Sequence, residues 1–121
     1  MEALQYREEL MHWADEVDYA VTIADKNCVI IYMNERSRAT FCKNGATLIG
    51  KNLMGCHPEH AKVIIRRLLS DGGSNAYTIT KNGQRKLIFQ SAWKINGEVC
   101  GLVETSMVLP ADMKHFDRDA K

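Results

Sequence analysis

Near the amino terminus the apolar side chains fall at Ala3, Tyr6, Leu10, Trp13 and Val17, an alternating three-and-four spacing that lines one face of a helix. Leu4, Met11 and Ala14 widen the stripe, so residues 1–17 predict an N-terminal amphipathic helix. Its two heptads resemble a short coiled-coil seam, and the face can pack on its own domain, on a second copy of the chain, or on both. From Tyr19 the period shortens to two. Val21 and Ile23 alternate with Thr22 and Ala24, Asp25-Lys26-Asn27 supplies a turn, and Cys28 to Met33 forms a second apolar run. Two adjacent strands joined as a hairpin are expected. Asn34 ends the second and is placed to cap a short helix over Glu35 to Phe41, which leads into a Lys43-Asn44-Gly45 turn.

Residues 58–70 carry the clearest helical signal: Pro58 where a missing N–H costs nothing, Glu59 in the first turn, Arg66 and Arg67 near the last, and Gly72-Gly73 after it. Ala61, Ile64, Ile65 and Leu68 share one side, and extending that stripe back one turn brings in His57, with His60 at its edge. Both imidazoles are therefore expected to face the interior. Three strands follow, Asn75 to Thr80, Lys86 to Ile95 and Glu98 to Leu109, joined by Asn82-Gly83 and Asn96-Gly97. Asn-Gly between alternating hydrophobics is a strong hairpin signal, because both residues tolerate the positive φ of a tight turn. The pattern as a whole predicts an α+β fold, a five-stranded antiparallel sheet with helices over one face and a pocket between the two layers.

Composition narrows the function classes. A chain of 121 residues is one domain in length, and 16 Lys plus Arg against 15 Asp plus Glu leave no long-range field for nucleic acid. No apolar run is long enough to cross a bilayer, and the charged N-terminus lacks a signal peptide's features, so a soluble, cytoplasmic protein is expected. Cys28, Cys42, Cys56 and Cys100 contain no CxxC pair and are read as reduced thiols.

The densest chemistry lies at Leu48-Ile-Gly-Lys-Asn-Leu-Met-Gly-Cys-His-Pro-Glu-His60. Cys42, Cys56, His57 and His60 can be drawn as a zinc site, but adjacent Cys-His ligands match no usual zinc spacing. Cys56 at a helix start can be activated by the dipole, or be a buried inert thiol. An enzyme is not expected, since no base and orienting carboxylate stand at telling positions. Phe89 and Trp93 on one strand line either a pocket wall or the outer sheet face.

The run D-Y-A-V-T-I-A-D-K-N-C-V-I-I-Y-M-N from Asp18 to Asn34, the L-I-G-K-N-L-M-G-C-H-P-E-H segment and the two-hairpin finish together resemble a PAS domain, of the stand-alone bacterial type. Asp25, Asn34, Gly50 and His57-Pro58 stand at family-like intervals. The resemblance implies a PAS domain over residues 18–110 between the N-terminal helix of 1–17 and a polar tail of 111–121, with sheet order 2-1-5-4-3. It implies signal transduction by a sensor that binds a small ligand between sheet and long helix, and a homodimer through the N-terminal helix, with a signalling protein as partner. Haem is the leading cofactor, with His60 as the iron ligand, His57 as its alternate, and Ile64, Leu68 and Trp93 around it. Departures from the family pattern bear on this. No cysteine sits in the flavin-adduct motif, so FMN is not expected. The Asp-Ile-Thr ending is replaced by Glu104-Thr105-Ser106, and His60 stands one residue from the family's haem histidine, where this chain has Ala61. A ligand-free interaction or dimerisation module is the alternative reading.

Overall fold

A computed structural model of the chain describes residues 7–119. The elements run α1 (Arg7–Leu10), β1 (Ala20–Asp25), β2 (Ile30–Met33), α2 (Glu35–Phe41), a single 3-10 turn (Leu53–Cys56), α3 (Glu59–Asp71), β3 (Ser74–Lys81), β4 (Gln84–Ile95) and β5 (Glu98–Leu109). The sheet is antiparallel throughout, in the order β2-β1-β5-β4-β3. Both Asn-Gly turns close as expected, with φ of 52° and 76° at Asn82-Gly83 and 50° and 84° at Asn96-Gly97. Two consecutive left-handed residues match the right-handed twist of the strands they join.

α3 lies across the sheet. It buries Ile65 and Leu68 completely, against a cluster that includes Ala24, Cys28, Ile30, Met33, Leu53 and Leu102. The helix stops where the chain turns left-handed at Gly72 (φ 74°), whose N–H returns to the Leu68 carbonyl. α2 is fixed by Asn34, which is wholly buried and uses its whole amide. Its Oδ1 accepts from the N–H groups of Val21 and Ser37, both at 2.9 Å, and its Nδ2 donates to the carbonyls of Ala14 at 2.8 Å and Tyr19 at 2.9 Å.

After Leu10 the N-terminal segment departs from the expected helix. Residues 1–6 lie outside the described residues, and beyond Leu10 the chain makes only successive turns, with bonds such as Met11 N–H to Glu8 O and Asp15 N–H to His12 O. Here tertiary bonds override helical periodicity: the Ala14 carbonyl is taken by Asn34, the Asp15 carbonyl by the Glu35 N–H, and the Asp15 carboxylate by the Tyr32 hydroxyl. That contact and burial hold the Tyr32 pKa up at about 12, burial being the larger cause. Among the described residues of the expected stripe only Ala14 is buried, while Leu10, Met11 and Trp13 stay exposed.

Candidate functional site

The segment before α3 is stitched to β2: Gly50 N–H donates to Ile30 O, Ile30 N–H to Lys51 O, and Leu53 N–H to Cys28 O. This anchors the 3-10 turn, and Asn52 caps it by accepting from the Met54 N–H. His57 closes the turn and, just before Pro58 opens α3, swings its ring inward over β5. Beneath it is a cavity of about 200 Å³ with a mainly apolar lining, including Ile30, Met33, Phe41 and Leu53, and two charged groups, His57 and Glu104.

Glu104 sits opposite Thr22 on β1 and Gln90 on β4, so the three side chains share the inward face of the sheet. Its Oε2 accepts from Gln90 Nε2 at 2.9 Å, and Gln90 Oε1 accepts from Asn75 Nδ2 at 3.2 Å, so a polar line crosses β5, β4 and β3. His57 Nε2 lies 3.6 Å from the same Glu104 oxygen, each side chain being 14% exposed. His57 Nδ1 is 2.9 Å from the Leu53 carbonyl, which can only accept, so Nδ1 carries the proton. A neutral ring would aim its Nε2 lone pair at the carboxylate. Protonation turns that clash into an ion pair, and the Glu104 interaction accordingly raises the His57 pKa against the opposing effect of burial. For Glu104 burial pushes upward, but His57 and Gln90 together outweigh it and the carboxyl ends below its ordinary value. Tyr77 on β3 is raised, first by burial and then by the same carboxylate.

No protein-family model matches the sequence, and no curated protein matches it. Solved structures do match in shape. A sensory box sensor histidine kinase from Vibrio cholerae superposes with a TM-score of 0.61 at 18% identity, over 88% of this chain and 94% of that one. The PAS domain of Bordetella pertussis BvgS gives 0.60 at 16% identity over 88% of each chain. The PAS domain of the histidine kinase ThkA gives 0.59 at 14% identity, over 75% of this chain and 99% of that one. The fold is the PAS fold. The sheet order anticipated from that resemblance is the one observed.

Within this PAS fold the anticipated site residues separate. Only His57 lines the cavity. His60 is exposed, because one residue on a helix is about 100° and Ala61, not His60, shares a side with Ile65 and Leu68. Leu68 is sealed in the core, and Ile64 packs beside it. Trp93 stands elsewhere on the sheet, its Nε1 donating to the Ala24 carbonyl at 3.0 Å. Phe89 is exposed rather than part of a pocket wall. The residues do not fit haem: His60 points away, and His57 presents to the cavity a nitrogen already facing Glu104. The cavity of about 200 Å³ is also below the roughly 300 Å³ at which ligand pockets of ordinary size begin.

The Cys56 side chain lies outside what the structure describes, and with it the readings of that thiol as zinc ligand or nucleophile. Among the described residues no group of three or more His, Cys, Asp or Glu side chains is close enough to hold a metal ion. Cys28, Cys42 and Cys100 are free thiols, and burial together with Asp25 pushes the Cys28 thiol up, away from thiolate chemistry. Among the described residues no helix is long and apolar enough to cross a membrane. Sequence reading missed Glu104 as a site residue. Its signal was a carboxylate two positions from Leu102, on the same face of the strand.

Proposed function

We propose that this PAS fold is a signal-sensing domain whose inner cavity takes a compact ligand, with an apolar body and one polar group directed at His57 and Glu104. The observation that carries it is a mainly apolar cavity of about 200 Å³ holding a mostly buried, hydrogen-bonded carboxylate. Sites of this kind combine apolar walls with a few fixed polar groups that orient the ligand. A ligand contacting Glu104 changes the partner of His57, and His57 is the residue that leads into α3, so occupancy is felt where the helix begins. The structural neighbours described as sensory box and PAS domains of histidine kinases agree with this role. The test is mass spectrometry of small molecules released on denaturing the purified protein, with a thermal-shift screen of small organic compounds in parallel. A molecule carried by the native chain and lost from Glu104→Ala supports the reading. No released molecule and no compound that raises the melting temperature would sink it.

A second reading, association of two copies through the N-terminal segment, is favoured by the exposure of Leu10 (58%), Met11 (78%) and Trp13 (58%). Three large apolar side chains in a row of turns leave contact area that a partner can cover. Leu10→Glu with Trp13→Glu should convert a dimer to a monomer in light scattering. An unchanged mass would remove this reading and leave the cavity argument intact.

A further inference from the structure

Besides the inner cavity, an open cleft of about 750 Å³ lies at the other end of the sheet. Its floor is the inward face of the β3–β4 hairpin end and the last residues of β5, where Lys81 pairs with Gln84 and Lys86 with Val108. Its wall is α2 and the residue pair Asp18-Tyr19 leading into β1. Four cations line it, Arg36, Lys43, Lys81 and Lys86, against the single acid Asp18. Asp18 is already taken up by an ion pair with Arg36 Nη2. Lys43, Lys81 and Lys86 make no ion pair among the described residues. Ser106 sits at the floor with a hydroxyl that makes no hydrogen bond among the described residues.

Composition does not account for this. The chain carries a net charge of only +1, so gathering four cations in one concavity is a local arrangement. Like charges held around a concave surface repel one another, and a low-dielectric wall focuses their field outward into the hollow. An anion in the cleft relieves that repulsion and meets ammonium donors, guanidinium donors and hydroxyls together. The hollow is far larger than one phosphate or carboxylate, and Tyr19 and Val108 add apolar surface beside the charges. We propose that this cleft binds a small organic polyanion, a molecule carrying two or more phosphate or carboxylate groups, at a site separate from the inner cavity.

The test is isothermal titration of the full chain with pyrophosphate, ATP and citrate at about 50 mM and about 300 mM NaCl, salt concentrations that differ severalfold in screening. Saturable binding is expected at low salt, weakened at high salt, and reduced about tenfold by Lys81→Glu with Lys86→Glu, which reverses two cations at a partly exposed site. The tighter of pyrophosphate and citrate then assigns phosphate or carboxylate. Lys26→Glu, a single charge reversal in the β1–β2 turn, should leave binding unaltered. Lys43→Ala with Lys81→Ala provides a second, milder variant expected to weaken binding in the same direction. Absence of saturation by all three probes at low salt overturns the proposal, as does equal binding by folded variants and native chain.

Discussion

Along the inward face of β5, Leu102, Glu104, Ser106 and Val108 pass from sealed core, through the inner cavity, to the open cleft. The two hollows share this strand face and differ in what covers it. Over Glu104 lie His57 and the start of α3, and there each charge has a partner, because an unpartnered charge shut away from water costs several kcal/mol. Over Ser106 and Val108 the hollow is open, with α2 at its wall, so water solvates the lysines and their pairing is optional. Pairing in the inner cavity is thus favoured by burial. Water relaxes that demand in the cleft, where the convergence of unpaired cations suits an anion.

The largest expected effect breaks the closed side. Met33 is buried and lines the inner cavity, so Met33→Ala enlarges an existing void and should cost about 2–5 kcal/mol in urea unfolding. A loss under about 0.5 kcal/mol would show that the wall there is not packed.

Next comes the ion pair. A raised His57 pKa gives stability that is complete below the unfolded value near 6.5 and lost as pH climbs through the folded one. A lowered Glu104 pKa gives stability that is complete above the unfolded value near 4.5 and lost as pH falls through the folded one. The pair therefore contributes most between those two values. Glu104→Gln should cost about 1 kcal/mol there, and the difference from the native chain should shrink on both sides. A pH-independent difference would remove the ion pair from the account.

The smallest effect sharpens the contrast. Lys81→Glu with Lys86→Glu should move stability by no more than about 0.5 kcal/mol, although the same pair of changes is expected to weaken anion binding. A large destabilisation would mean that the cleft cations support the fold itself.

How much of this could be read from the chain depended on whether local or distant atoms decided the outcome. The α2 bounds and those of β5 were legible because a capping Asn and an Asn-Gly turn are local devices. The N-terminal helix was legible only as periodicity, and bonds from Asn34, Glu35 and Tyr32, none of them nearby in sequence, decided its form. At the site, the inward turn of His57 was anticipated by extending the apolar stripe of α3 back one turn, whereas His60 was lost to a single step of helical rotation. Glu104 is set by strand register, and the cleft by a hairpin and a helix far apart in sequence, so neither is visible in a local pattern.

Asn34 gives the two hollows a common mechanical origin. Its one amide fastens the carbonyls of Ala14 and Tyr19 to the first turn of α2. α2 in turn contributes Arg36 and Thr40 to the cleft and Phe41 to the inner cavity. Displacing that short helix would strain the same hydrogen bonds that hold the segment after Trp13. A single buried side chain thus ties the walls of both hollows to the exposed segment that carries Leu10 and Trp13.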